Sequence, residues 1–253
     1  MNLYTPEFYR AQQAESLCSA RRILQIVFEA LNPKSVLDVG CGVGTWLRAA
    51  MDLGVQDIMG LDGKYVDREM LMIAPRYFEV MDLGHPDGLD RRFDLTLCLE
   101  VAEHLPKNCA QVLTRFLVST APVILFSAAI PGQGGTGHVN EQWQTYWISL
   151  FKEQGYKGLD LIRPVVWDAV DVEYWYAQNS FVFVDEARLS EFPLLLKGAS
   201  GGSLLPISMV HPRAFAASRM ELETLKNRGL RSWLFDAPRV FSQTWRNRTR
   251  RNP

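Results

Sequence analysis

Short apolar runs recur along the chain, each followed by small or polar residues and then by a longer amphipathic stretch. Val36, Leu37 and Val39 form one run; Gln56 to Leu61, Phe78 to Met81, Phe93 to Leu99, Pro122 to Ala128 and Phe181 to Val184 form the others. Runs this short and this continuous predict strands buried on both faces, the habit of parallel sheets. Trp46 to Leu53 reads as a helix, and Trp143, Tyr146, Trp147, Leu150 and Phe151 recur at helical spacing as a core stripe. Thr5 to Leu31, with Leu17, Ile23, Leu24, Ile26, Val27 and Leu31 apolar, predicts a mainly helical segment that Asn32-Pro33 breaks. Strand, turn and helix in alternation predict an α/β fold with helices on both faces of the sheet. Beyond the last run, Glu186 to Leu196 predicts a short helix, Gly198 to Ser203 a linker, and Met220 to Asn227 a further helix.

The 253 residues, 47% of them hydrophobic, suffice for one domain with elaborations. No apolar stretch approaches the ~20 uncharged residues that a membrane span needs, and Met-Asn-Leu-Tyr-Thr-Pro lacks the basic start and apolar core of a secretory leader. Cys18, Cys41, Cys98 and Cys109 show neither metal-finger nor Cys-x-x-Cys spacing, which predicts reduced thiols and a cytoplasmic protein. The overall charge of −1 hides an asymmetry: from Arg219 onward nine bases face three acids, so the rest of the chain is acidic. Trp233, Leu234, Phe235, Val240, Phe241 and Trp245 lie among those bases, a pattern that suits either an anionic membrane surface or ligand, or a helix docked on the body. An acidic body disfavours a protein that coats nucleic acid, because phosphate contacts need a positive surface.

The chemistry starts at the first run. Ser35 to Gly44 reads Ser-Val-Leu-Asp-Val-Gly-Cys-Gly-Val-Gly, a strand leading into three glycines at alternate positions, with Asp38 two places before the first. Glycines here let the backbone turn sharply and approach a ligand beside the start of the next helix. A nicotinamide fingerprint wants its third glycine three residues after the second, where this chain has Thr45. The second run ends in Asp62, placed to accept from a ribose diol, and the third closes on Asp82-Leu83.

This set resembles motif I and the following acidic positions of the class I S-adenosylmethionine (SAM) dependent methyltransferases, from about residue 33 to 185. The resemblance implies a Rossmann-like, doubly wound, mostly parallel sheet of about seven strands. Residues 1–32 would be a helical N-terminal cover, 33–185 the methyltransferase domain, and 186–253 a C-terminal extension with linker and basic aromatic tail. It also implies SAM as cofactor, held by Asp38, Gly40, Cys41, Gly42, Gly44, Asp62, Asp82, Leu83 and Glu100.

The fourth run passes directly into Glu100-Val101-Ala102-Glu103-His104-Leu105-Pro106. As the first turn of a helix, this would set Glu100, Glu103 and His104 on one face at the carboxyl end of the sheet. The string resembles the metal-binding motif of the small-RNA terminal 2′-O-methyltransferases and the ubiquinone-pathway catechol O-methyltransferases, where a later histidine completes the site. His138, in a glycine-rich loop after the fifth run and placed directly before a helix, is the candidate here. The resemblance therefore implies Mg²⁺ or another divalent cation on Glu100, Glu103, His104 and His138. Other methyltransferases carry the same letters without a metal, and then the first acid lies near the cofactor and the histidine serves the acceptor side. His104, Glu100 and His138 are the candidate catalytic residues, because an alcohol is a poor nucleophile until a base takes its proton or a bound cation lowers its pKa. His85 and His211, each before a proline, read as loop residues.

The segment Trp167 to Asn179 mixes aromatics with Asp168, Asp171 and Glu173 before the last strand, and suits either a sugar acceptor or an ordinary packed lid. The favoured function is thus SAM-dependent O-methylation of a small-molecule or glycan hydroxyl. The alternatives are a metal-dependent RNA 2′-O-methyltransferase and a non-catalytic SAM-fold protein that binds a partner through its tail.

Overall fold

The computed structural model describes residues 6–200 and 206–226. A long helix, α1 (Pro6–Leu31), precedes an alternation of β1 (Ser35–Val39), α2 (Thr45–Asp52), β2 (Asp57–Asp62), β3 (Phe78–Val80), β4 (Leu95–Leu99), α3 (Ala110–Thr120) and β5 (Val123–Ser127). Then come α4 (Gln144–Glu153), β6 (Tyr156–Leu159), α5 (Arg163–Val166), α6 (Tyr174–Asn179), β7 (Phe181–Asp185), α7 (Pro193–Ser200) and α8 (Pro212–Lys226). The seven strands form one sheet in the order β3-β2-β1-β4-β5-β7-β6. All pairs are parallel except those of β7, which runs antiparallel to both β5 and β6. Strand order reverses between β1 and β4, the switch point where open α/β sheets bind their ligands.

Alternate residues of each central strand feed two separate cores. On one face Val36, Leu95, Leu97, Val123, Leu125, Val182 and Val184 pack with Ile23, Leu24 and Val27 of α1. On the other, Leu37, Val39, Cys98, Ile124, Phe126 and Phe183 pack with Leu113 and Leu117 of α3 and with Trp147, Leu150 and Phe151 of α4. The apolar runs do not alternate because both of their faces are buried. Trp143, from the same predicted stripe, remains 41% exposed.

Several boundaries differ from expectation. β6 was not legible as a strand: it is four residues long at the sheet edge, with Lys157 exposed and Gly158 inside it, so it carries no apolar run. Glu186 to Leu196 is a 3₁₀ segment, Glu186–Glu191, followed by α7, and Pro193 opens that second helix. The expected linker is therefore helical through Ser200. Helix α8 starts at Pro212, well before Met220, again with proline in its first turn.

Chain contacts divide the molecule into a unit ending at His211 and a second unit from Pro212. Among the described residues no helix is long and apolar enough to cross a membrane. The bases and aromatics of the tail from Arg228 onward lie outside the described residues. All four cysteines are free thiols, and Cys41, Cys98 and Cys109 are buried.

Candidate functional site

At the end of β1 the chain turns through Gly40, Gly42 and Gly44 with φ of +86°, +52° and +83°, the left-handed region that glycine enters without penalty. At Gly40 a Cβ would lie 2.2 Å from a methyl of Val101, so the absence of a side chain lets this loop pack on the loop after β4. At Gly42 a Cβ would meet nothing within 4 Å, because the backbone there faces open cavity. Asp62, at the end of β2, anchors the turn. One oxygen accepts from the Gly42 N–H at 2.7 Å; the other accepts from the Gly63 N–H at 2.6 Å and the Tyr65 hydroxyl at 2.5 Å.

These groups line a cavity of about 570 Å³ at the carboxyl ends of the strands. Its wall carries Gly40, Cys41, Gly42, Asp62, Asp82, Leu83, Glu100, Glu103, His104 and His138 of the sequence-expected residues. Gly44 and Asp38 are not part of that wall. Gly44 instead lets Ile73 approach the start of α2, where a Cβ would sit 2.9 Å from it. Asp38 lies beneath the turn, 2% exposed, with one oxygen lacking any hydrogen bond. Burial, then the neighbouring Asp62 charge, pushes its carboxyl well above the usual range. Asp62 is also pushed up by burial, against the pull of its three hydrogen bonds. Exposed Asp82 is held low by the Gly84 N–H and by His85.

The segment after β4 is not the expected helix. Glu100 has φ of +54°, Ala102–His104 is a single 3₁₀ turn, and α3 begins only at Ala110. A left-handed residue cannot continue a helix, and the Glu100 N–H donates instead to the Ser127 carbonyl at 3.0 Å. Glu100, Glu103 and His104 therefore do not share a helical face. The Glu100 carboxylate turns to the Gln133 and Asn179 side-chain amides, each at 3.3 Å. Burial raises its pKa, opposed by hydrogen bonds from Ser127, Asn179, Glu103 and Gln133.

Glu103, His104 and His138 do come together: ligand-type atoms of the three lie within 4.8 Å of one another. The two imidazoles meet edge to face with centroids 4.8 Å apart. The Glu103 carbonyl brings this about by accepting from the N–H groups of Val139 at 2.8 Å and Asn140 at 3.0 Å, which stitches the glycine-rich loop onto the turn after β4. Helix α4 starts only at Gln144, so His138 is a loop residue with no role in helix capping. Its Nδ1 lies 3.0 Å from Glu141, whose carboxylate also accepts from the Gly132 and Gly134 N–H groups. The Glu103 side chain is fully buried, and with both acids ionised neither of its oxygens has a hydrogen-bond donor. Burial and then the Glu100 charge push it well up. His104 is pushed down to about 4 by burial and by His138, against a backbone contact with Gly137, which leaves it neutral near pH 7.

Of the remaining wall, Ser16, Trp46 and Gln133 were not legible as site residues, whereas Tyr174, Trp175 and Tyr176 belong to the segment expected either to meet a sugar acceptor or to pack as a lid. Ser16 comes from α1, Trp46 from α2, Gln133 from the loop after β5, and Tyr174, Trp175 and Tyr176 from α6. Trp46 and Tyr176 meet edge to face at 5.1 Å. Asp168, Asp171 and Glu173, expected beside those aromatics, are not on the wall; Asp168 and Asp171 point to solvent in the turn before α6. His211, read as a simple loop residue, is buried with its Nε2 2.7 Å from the Trp167 carbonyl oxygen.

A family model described as a methyltransferase domain matches residues 9–155. No curated protein sequence matches the chain. Among solved structures, the sugar N-methyltransferase KedS8 from Streptoalloteichus sp ATCC 53650 is similar with a TM-score of 0.52 and 16% identity, over 72% of this chain and 92% of that one. Human N-acetylserotonin methyltransferase in complex with SAM is similar with a TM-score of 0.50 and 16% identity, over 71% of this chain and 55% of that one. The plantazolicin methyltransferase BpumL gives a TM-score of 0.50 at 12% identity, over 71% and 88% of the two chains. At these identities the likeness is one of fold. With more than half the chain inside the family model, and with a glycine-lined cavity at the switch point of the sheet, the chain belongs to the methyltransferase-domain family and is a class I SAM-dependent methyltransferase.

Proposed function

We propose that this methyltransferase transfers the methyl group to a hydroxyl oxygen of a small molecule or sugar. The observation that carries the reading is the paired imidazoles of His104 and His138 on the cavity wall beside buried Glu103. An amine without its proton needs no such equipment, whereas an alcohol must lose a proton as it attacks. Bound SAM supplies a methyl group already activated on a sulfonium. The protein's work is alignment and exclusion of water, which contributes several orders of magnitude in rate.

Gly42 presents bare backbone to the cavity, and Asp62 offers carboxylate oxygens where a ribose diol needs acceptors, so the wall fits the cofactor. His138 is the better candidate base. Its Nδ1 faces Glu141, which fixes the proton there and leaves Nε2 with an acceptor lone pair, the arrangement of a carboxylate-oriented imidazole. The acceptor hydroxyl would give its proton to that atom as it attacks.

The same cluster fits a divalent cation. A buried carboxylate without donors and two imidazoles, one kept neutral and one oriented by Glu141, make a suitable donor set. Glu103, His104 and His138 would hold the ion, whereas Glu100, turned to its amide partners, would not. A cation there would lower the hydroxyl pKa by several units.

Tyr174 and Trp175, partly exposed on the wall, offer ring faces on which a pyranose can stack, and this is the support for a sugar acceptor. The sugar N-methyltransferase among the similar structures shares only the fold, so it adds nothing on the acceptor atom. The test is methyl transfer from labelled SAM to a panel of sugar and phenolic alcohols and matched amines, with and without a chelator. O-methylated product that is lost in His138→Ala supports the reading; methyl found on nitrogen, or full activity in that variant, overturns it.

A further inference from the structure

Three side-chain amides and one carboxylate, Gln133 and Glu100 on the cavity wall and Gln178 and Asn179 behind them, form one directed chain, and its polarity is set by groups that can only donate. The buried His211 N–H donates to Oε1 of Gln178 at 2.7 Å, so the Gln178 amide must turn its NH₂ the other way. That NH₂ donates to Oε1 of Gln133 and Oδ1 of Asn179, both at 3.0 Å. The Ile130 N–H approaches the same Gln133 oxygen at 3.4 Å, which again directs the Gln133 NH₂ outward. It reaches Oε2 of Glu100 at 3.3 Å, while the Asn179 NH₂ reaches Oε1 of Glu100 at 3.3 Å and Gln133 Oε1 at 2.9 Å. Every amide dipole thus aims its positive end toward one carboxylate. Gln178 is 0% and Asn179 2% exposed, so water cannot substitute for a missing partner.

The far end of the hydrogen-bonded chain is a strap, residues 206–211, held by the side chains of Arg163, Gln144 and Gln178 and by the Trp167 carbonyl. Fully buried Arg163 is paired with Asp160 at 2.7 and 2.9 Å and donates to the carbonyls of Pro206 at 3.1 Å and Ile207 at 2.8 Å. Gln144 donates to the Met209 carbonyl at 3.3 Å, and the His211 ring contacts the Trp167 carbonyl oxygen. Hydrogen bonds of this kind restrain the His211 N–H, and through Gln178 they restrain Glu100.

We propose that Gln178 and Asn179 are positioning residues of the cofactor site, which hold the Glu100 carboxylate as the partner of the α-ammonium group of SAM. This rests on the SAM reading of the cavity. The wall runs in strand order from Asp82 after β3, through Asp62 after β2 and the glycines after β1, to Glu100 after β4. Three strand spacings separate the ends, roughly 14 Å, which suits an adenosine at the Asp82 and Asp62 end and an amino-acid group at Glu100. There the ammonium needs an acceptor, and the carboxylate is fixed on its far side by two amides.

The experiment compares calorimetric affinities of SAM and of 5′-methylthioadenosine, which keeps the nucleoside and sulfur but lacks the amino-acid portion. It uses the full chain and the variants Glu100→Gln, Asn179→Leu and Gln178→Glu, each checked by thermal melting. Gln178→Glu keeps the shape and the contact to His211 but cannot donate to Gln133, and serves if Asn179→Leu does not fold. Expected is a loss of about tenfold or more for SAM, with 5′-methylthioadenosine changed by less than about threefold. Parallel losses for both ligands would make these residues merely structural and overturn the proposal alone. Failure of the unaltered protein to bind either ligand would overturn the SAM reading, and the proposal with it.

Discussion

Asp62 offers the sharpest test of the cofactor assignment, because its two oxygens have different duties. One takes the Gly42 N–H at 2.7 Å, and the other takes the Gly63 N–H at 2.6 Å together with the Tyr65 hydroxyl. Asp62→Ala removes all three contacts and the acceptors for a ribose diol. Hydrogen bonds to a charged group contribute ~1.5–3 kcal/mol each, but water entering the cavity replaces part of this, so the net loss in SAM binding should be ~1–3 kcal/mol. That corresponds to roughly 5- to 150-fold in Kd. Asp62→Asn should not rescue binding: with one backbone N–H on each oxygen, an amide can accept from only one of them, and its NH₂ faces the other. Calorimetric titration of SAM into the two variants, alongside thermal melts to confirm folding, makes the measurement. If Asp62→Asn bound SAM within about twofold of the unaltered protein, the ribose would not lie on Asp62 and the placement of the cofactor along the sheet would fail.

Other outcomes follow from the same geometry. Gly42→Ala should cost about 1 kcal/mol of stability for a left-handed non-glycine residue but a larger loss in SAM affinity, since its Cβ would enter open cavity; equal melting and equal binding would refute this. Gly40→Ala, with its Cβ 2.2 Å from a Val101 methyl, should instead lower the melting temperature strongly. Glu103→Gln should raise the melting temperature of the metal-free protein. An acid whose folded pKa is raised destabilises the fold above its unfolded pKa, and the amide removes that burden. The same variant should abolish any shift in melting on adding magnesium or manganese, and a persisting shift would move the cation elsewhere. For His104 the sign is opposite: its folded pKa of about 4 lies below that of a free imidazole, so its contribution is complete above about pH 6.5 and is lost as pH falls toward 4. A His104→Gln variant should therefore show a flatter decline in melting temperature across that window.

Every strand but β6, the glycine turn and Asp62 were legible in the chain because each is a local signal. Apolar runs such as Leu95 to Leu99 must be strands when both faces are covered, and Gly40, Gly42 and Gly44 adopt dihedrals that other residues resist. The letters Glu-x-x-Glu-His fall on the cavity wall but misled about its shape: a helical face was expected, whereas a left-handed Glu100 pinned to Ser127 turns its carboxylate to the Gln133 and Asn179 amides. Nothing near Glu100 in the chain announces Asn179, 79 residues away, nor does Arg163 announce the carbonyls of Pro206 and Ile207. Glutamine and asparagine have no periodic signature, and their role appears only when buried donors and acceptors from separate elements must be satisfied together. The sequence by itself therefore determined the fold class and the glycine turn, which rest on propensity and pattern. Tertiary structure alone decided which carboxylate meets the imidazoles and which meets the amides, because burial makes each unpaired polar group costly and only the assembled sheet ends supply the partners.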